Sequence, residues 1–197
     1  MSPSWTLGIM AGGFSRRMGE DKAHLDLGGL TLLEWVARRY APPGTPVVVG
    51  TRDDGPGRSG PFPVALDLIS GEGPLSSMAA LLRDAQTPHV VIVPCDLPLL
   101  PPDFASRMVA RCAPSQALLL EVEGHPQPFP VVLARDSASE VRGLFEGGER
   151  RALAVRDHLV SRCLPWEELF PGIPSGEAFL NVNDTESLAR FLSLREL

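Results

Sequence analysis

The passage from Leu7 to Ala23, L-G-I-M-A-G-G-F-S-R-R-M-G-E-D-K-A, constrains this chain more than any other. An apolar run stops abruptly at paired glycines, and two arginines, a third glycine and an acid-base pair follow. The pattern predicts a short buried strand over Trp5–Met10 that ends in a loop. Small residues let a loop backbone approach a ligand closely and take positive φ. Successive loop N–H groups can form a concave anion nest, to which Arg16, Arg17 and Lys22 add cationic side chains. The alternative is a basic surface turn.

Lys22 is the only lysine in the chain, against seventeen arginines, and the only asparagines are Asn181 and Asn183. A compositional bias has nearly emptied the sequence of both residue types and left them in two places. Arginine cannot replace lysine where a compact ammonium acts as a point charge, so retention of Lys22 points to function.

Two common nucleotide motifs are excluded. A P-loop needs G-x-x-x-x-G-K-[ST] leading into a helix and a dinucleotide fingerprint needs G-x-G-x-x-G, and neither spacing occurs. The loop instead continues through His24–Gly29 to a helix beginning near Thr31, with Leu32, Leu33, Val36 and Tyr40 on its apolar face. Pro46–Gly50 predicts a second strand, Thr51–Pro63 a Gly/Pro-rich loop, and Pro63–Leu68 a third strand bearing Asp67 near its end. Pro74 opens a helix through Ala85, as proline in a first turn does, with Ser76, Ser77 and Ala80 as a small-residue face. His89–Pro94 is apolar throughout, as a central parallel strand requires.

A carboxylate just past such a strand lies where open α/β sheets bind ligands. Asp96 is therefore the candidate metal ligand, with a turn or helix-cap aspartate as the alternative. Asp103 is the expected N-cap of a helix through Cys112. Ala117–Val122 and Phe129–Ala134 are expected strands. Between them Glu123–Pro128 is either a proline-stiffened turn or a platform presenting His125 and Gln127 to a second substrate. Helices are expected at Asp136–Glu146 and Glu149–His158. Arg150 and Arg151 between them either bind an anion or decorate a helix start. Alternation in an extended tail places Asn181 and Asn183 on one face and Val182 on the other. The paired amides suit a polar ligand, and the alternative is a helix cap, a role Asp184 also offers. Strands alternating with helices make this a doubly wound α/β domain.

At 197 residues the chain is read as one domain, residues 1–197, with room for a substantial core. A formal charge of −6 excludes a general nucleic-acid binder, so any polyanion site must be local. Cys95, Cys112 and Cys163 are far apart, which argues against zinc or disulfide scaffolds. No run reaches the length of a membrane span and no leader pattern is present, so a cytoplasmic location is expected.

The ordered motifs resemble the molybdenum cofactor guanylyltransferase family. They are A-G-G-F-S-R-R-M-G-E-D-K after the first strand, G-P-L opening a helix, P-C-D-L-P after the central strand, then G-E-R-R, and N-V-N before the last helix. The double glycine resembles the guanylyl branch, whereas related cytidylyl enzymes typically carry A-A-G. The resemblance implies a Rossmann-like three-layer αβα fold with a mostly parallel sheet, of the nucleotide-diphospho-sugar transferase type. It implies transfer of GMP from GTP to molybdenum-bearing molybdopterin, with Mg²⁺ and release of pyrophosphate. Met10, Ala11, Gly12 and Gly13 would line the nucleotide, Lys22 would hold phosphate, Asp67 would contact the nucleoside and Asp96 would bind Mg²⁺. Asn181 and Asn183 would face the pterin acceptor. Lys22, Asp96 and Arg16 are the catalytic candidates. Transient contact with a cofactor-biosynthesis adaptor or an apo-molybdoenzyme is a further expectation, and no nucleic-acid or membrane partner is expected. The chain departs from the family pattern at Met10 (usually leucine), at Ser76-Ser77 (usually Ala-Gly) and at Asp184-Thr185 (usually Thr-Pro). A polar contact usual after the second strand is not carried onto Thr51.

Overall fold

The computed structural model describes residues 4–12, 22–53, 55 and 60–195. Gly13, Arg16 and Arg17 lie outside the described residues. In chain order the elements are β1 (Trp5–Met10), α1 (Leu32–Tyr40), β2 (Val47–Thr51), β3 (Val64–Leu66), α2 (Pro74–Asp84), β4 (His89–Pro94), α3 (Phe104–Val109), β5 (Ala117–Val122), β6 (His125–Ala134), α4 (Ala138–Glu146), α5 (Ala154–His158), β7 (Ser161–Pro165), α6 (Trp166–Leu169), α7 (Ser175–Ala178) and α8 (Thr185–Leu194). A 3-10 turn spans Lys22–His24.

The strands form one seven-stranded sheet in the order β3-β2-β1-β4-β6-β5-β7. The sheet is mostly parallel, and β6 runs antiparallel to both β4 and β5. Alternation along the strands divides the core in two. Leu7, Ile9, Val49, Val91 and Val93 pack with α1, α3 and α6 on one face. Val48, Val90, Ile92, Leu119 and Val131 pack with α2, α4 and α5 on the other. This is the expected three-layer αβα arrangement. A smaller cluster of Leu25, Leu27, Leu32, Val182 and Phe191 seats α8 against the segment entering α1.

Local chemistry accounts for the element boundaries. Thr31 caps α1 in a reciprocal box, with Glu34 N donating to its Oγ1 at 3.2 Å and Thr31 N donating to Glu34 Oε2 at 2.8 Å. Asp184 caps α8 in the same way with Ser187. α2 lies close on β1 and β2 because both strands carry glycine beneath it. A Cβ on Gly8 would meet Leu81 Cδ1 at 3.1 Å, and one on Gly50 would meet Ser77 Oγ at 2.4 Å and Leu81 Cγ at 3.2 Å.

Three expectations are corrected. Asp103 sits at the N-cap position of α3 but caps nothing with its side chain, which instead accepts from Arg107 Nε at 2.7 Å. β4 is central but has one antiparallel neighbour, since β5 and β6 are joined by a two-residue turn that permits only a hairpin. That turn is Glu123-Gly124, both with positive φ (52° and 78°), so His125–Pro128 belongs to β6 and is not a connector. The prolines are tolerated there because β6 pairs with β4 only over Val131–Ala134, leaving its first half an edge on that side.

The segment after β4 is held by Tyr40. Its fully buried hydroxyl donates to Leu97 O at 2.7 Å and accepts from Leu100 N at 2.9 Å, and its ring meets Phe104 edge-on at 4.8 Å. Tyr40→Phe keeps the ring contact but strands two buried backbone groups. It is expected to lower unfolding free energy by about 1–3 kcal/mol, read as a shift in the urea midpoint at unchanged slope.

Candidate functional site

The C-terminal ends of β1, β3 and β4 and the N-terminus of α2 surround a cleft of about 300 Å³. Open α/β sheets bind ligands at this edge because the chain leaves each strand there into a loop. Met10, Ala11, Gly12, Lys22, Asp67 and Asp96 all line it, so six of the residues singled out in the sequence converge although they span 87 positions. Gly71, Gly73, Pro74, Ser77, Pro94 and Cys95 complete the lining.

The floor is rigid. Ala11 N donates to Gly50 O at 2.8 Å and Cys95 N donates to Met10 O at 3.0 Å, which ties the exit of β1 to both neighbouring strands. Gly12 comes so close to Asp67 that a Cβ there would lie 3.3 Å from Asp67 Oδ2. The Gly71–Gly73 lip is braced from outside: Arg150 Nε donates to Glu72 Oε2 at 2.8 Å. Gly73 has φ 90°, and a Cβ on it would lie 3.1 Å from Arg150 O. Arg150 also stacks over Phe145 at 4.4 Å, and Arg151 is engaged by Glu149 at 2.6 Å. These two arginines therefore have structural partners.

Lys22 gathers the electrostatics. Its ammonium lies 3.4 Å from Asp96 Oδ2 and donates to Asn183 Oδ1, residues 74 and 161 positions away. Asp96 is also fixed through its backbone, since Val182 N donates to Asp96 O at 2.9 Å. Val182 is fully buried, so the tail docks by its apolar side chain and turns Asn183 toward Lys22. Asn181 is exposed, and its amide donates to Phe179 O at 3.2 Å. The structure thus brings Asn183 to Lys22 and leaves Asn181 outside the cleft lining.

Asp67 follows β3, with its amide donating to Thr51 O at 3.0 Å. Burial raises the pKa of its carboxyl above the ordinary range, while the Ser77 hydroxyl and the Arg52 charge pull it back. Asp67 Oδ1 and Ser77 Oγ are buried with no hydrogen-bond partner among the described residues. Thr51 is fully buried with its hydroxyl toward Gly55, away from the cleft lining. Two of the thiols are not poised for chemistry: burial pushes Cys112 up to about 11 and raises Cys163. No group of three or more metal-ligating side chains occurs among the described residues. The arrangement suits a hard cation held by one carboxylate with the remaining positions filled by substrate oxygens and water. Gly71, Gly73, Pro74, Ser77, Pro94 and Cys95 are the lining residues that sequence reasoning gave no ligand role. The signal for Ser77 was its departure from the usual Ala-Gly.

No helix among the described residues is long and apolar enough to cross a membrane. A model of the MobA-like NTP transferase domain matches residues 7–162. The chain is 35% identical over 200 residues to a molybdenum cofactor guanylyltransferase of Cereibacter sphaeroides, covering 94% of each protein. It is 30% identical over 192 residues to the Shewanella frigidimarina protein of the same name, again covering 94% of each. The crystal structure of molybdopterin-guanine dinucleotide biosynthesis protein A from Archaeoglobus fulgidus superposes with a TM-score of 0.78 at 24% identity, covering 97% of this chain and 98% of that one. By this match over most of its length, the chain belongs to the MobA-like NTP transferase family of nucleotidyltransferases.

Proposed function

We propose that the chain transfers GMP from GTP to molybdenum-bearing molybdopterin, forming the guanine dinucleotide cofactor and releasing pyrophosphate. The observation that carries this reading is the convergence of Lys22, Asp96 and Asn183 beside the Met10–Gly12 backbone, at the strand ends where a nucleotide fits. The names of the relatives support guanylyl transfer specifically. Residues 1–197 act as one catalytic domain, a reading supported by the single continuous sheet.

The terminal phosphate of the acceptor is the nucleophile. Its oxygen bonds to the α-phosphorus of GTP, the bond from that phosphorus to the bridging oxygen breaks, and the electron pair leaves with pyrophosphate. Two anions must meet in line, so the protein's task is positioning and charge stabilisation. A phosphate nucleophile is already ionised at neutral pH and needs no general base. The Lys22 ammonium, beside Asp96 in the cleft, is placed to stabilise the charge that develops on the departing pyrophosphate. Asp96 would hold Mg²⁺, and its single carboxylate and open cleft fit an ion that completes its shell with phosphate oxygens and water. When bound, Mg²⁺ supplies Lewis-acid neutralisation of the triphosphate. Asp67 contacts the nucleoside, and Asn181 and Asn183 serve the acceptor side, where Asn183 also orients Lys22. Gly13 and Arg16, which lie outside the described residues, are further nucleotide-binding and catalytic candidates.

Pyrophosphate release is expected with GTP, Mg²⁺ and molybdopterin together, and not with CTP, ATP or UTP, or with a sugar phosphate as acceptor. Preferential use of CTP would sink the guanylyl reading. Lys22→Ala is expected to lose roughly 2–4 kcal/mol of transition-state stabilisation, measured as kcat/KM in folded protein.

Asp67 generates an opposite pair of effects. Because its native pKa is raised, the native state holds the proton more tightly than the unfolded chain. Stability therefore falls as pH rises from the ordinary aspartate range through the raised value, and the cost is complete only above that value. Asp67→Asn is expected to raise the urea midpoint at pH 7.5, with the gain shrinking as pH falls. The same variant is expected to weaken GTP binding by about 10-fold, the scale of a lost hydrogen bond to a charged group, measured by calorimetric titration.

A further inference from the structure

A second hollow, of about 490 Å³, has no part in the chemistry above. It lies at the opposite edge of the sheet, where β4 begins and β6 ends, and shares no lining residue with the nucleotide cleft. The same two elements run between them. His89 of β4 lines this hollow and Pro94 the cleft, while α2 gives Leu82 and Arg83 to one and Pro74 and Ser77 to the other. A six-residue strand such as β4 spans about 17 Å, too far for one small ligand to touch both.

Strand register gathers the polar groups of the hollow. His89 pairs with Ala134 across β4 and β6, and Arg135 N donates to Pro88 O at 2.8 Å, so Arg135 leaves the sheet beside His89. Arg83 arrives from the last turn of α2. Its Nε and Nη2 donate to the Asp84 carboxylate at 2.6 and 2.8 Å, which leaves Nη1. Asp136, the one carboxylate in the lining, accepts from Ser115 Oγ at 2.6 Å. Arg135 makes no side-chain hydrogen bond or ion pair among the described residues. His89 Nε2 is buried and has no partner among them either. Native proteins rarely bury a polar side-chain atom without a partner, and where they do a ligand or water commonly completes it. The first turn of α4 also opens here. Ala138 lines the hollow, and Ser137 gives its hydroxyl to Ala134 O at 2.7 Å instead of capping that turn, which leaves the positive end of the helix without a side-chain cap.

We propose that this hollow is a second ligand site, in which Arg135 and Arg83 hold a small multivalent oxyanion against His89. Two guanidinium groups face one carboxylate that is already engaged, in a chain whose formal net charge is −6. The positive lining is therefore local and not a general property of the surface. Guanidinium forks match phosphate and carboxylate oxygens alike, so phosphorylated and polycarboxylate metabolites are the two sources of such a ligand. Leu82, Pro88 and Pro114 supply apolar wall for the ligand body. The site stands whether or not the guanylyl reading does.

The test is titration of the full chain with inorganic pyrophosphate and, separately, with citrate, at fixed pH and ionic strength, followed through the imidazole C–H signals by NMR. Two of the four histidines report on the two sites: His89 on the hollow, and His24, in the same 3-10 turn as Lys22, on the nucleotide cleft. The His89 signal is expected to shift saturably, with half-saturation at about 1 mM or below. Saturation by pyrophosphate alone assigns the site to phosphorylated ligands, by citrate alone to polycarboxylates, and by both to either. Arg135 is exposed, so Arg135→Ala is expected to keep the wild-type thermal midpoint. It is expected to weaken the His89 response about 10-fold, the scale of a lost hydrogen bond to a charged group, and to leave the His24 response unchanged. Arg83→Ala is expected to act in the same direction, and Lys22→Ala to alter only the His24 response. A His89 signal that moves linearly with both anions would overturn the inference. So would equal affinity in wild type and both arginine variants, or a His89 response that disappears in Lys22→Ala.

Discussion

The approach of α2 to the sheet is the constraint on which the site depends. Leu81 lies over Gly8 of β1 and Gly50 of β2 at distances that leave no room for a β-carbon on either strand. Protein interiors pack densely enough that one added methyl group forces neighbours to move. With α2 seated this low, its first turn reaches the ends of the strands, and Pro74 and Ser77 become walls of the cleft. A larger residue at Gly8 or Gly50 would lift the helix and with it the lip that Arg150 braces from the other side. The cleft is thus a by-product of how closely one helix can lie on two strands.

A second constraint fixes the charged end. Asp96 follows a strand that is fully buried over Val90–Val93, and hydrogen bonds from three separate parts of the chain lock the residues around it. Cys95 is tied to Met10, Asp96 to Val182, and Leu97 and Leu100 to the Tyr40 hydroxyl. A carboxylate held this way presents its side chain with little freedom left to lose, which is what preorganised charge stabilisation requires. Lys22 then bridges Asp96 and Asn183. In this arrangement the ammonium offsets the charge of the carboxylate that would hold a cation.

How much of this was legible in the sequence follows from the range of the interactions. β1, α1 and β4 follow from hydrophobic periodicity because a strand buried on both faces and an amphipathic helix write their own pattern. The β6 strand did not, because three prolines in His125–Pro130 read as punctuation, and only the sheet order shows that this stretch has an unpaired side. Asp103 was expected to cap α3, but the nearby Arg107 outcompeted the backbone for its carboxylate. The site was legible as residue types and not as geometry. The scarcity of lysine and asparagine marked Lys22 and Asn183, but nothing local says that positions 161 residues apart touch. Alternation put Asn181 and Asn183 on one face, and docking of Val182 onto Asp96 decided which of them meets Lys22.

Ser76-Ser77 shows how a departure from a pattern can be physical accommodation. A serine whose oxygen points at a strand needs a strand residue without a side chain, and Gly50 is that residue. Had the chain carried alanine at 50, Ser77 Oγ would have had to rotate away from the position it occupies. The neighbouring serine has an exit that Ser77 lacks, because both hydrogen-bonding capacities of Ser76 are spent on the backbone of Ile69. One serine of the pair is therefore satisfied within the protein and explains how the loop after β3 is held. The other lines the cleft with its hydrogen-bonding capacity unfilled among the described residues, as does Asp67 Oδ1, whose carboxyl burial has made harder to ionise.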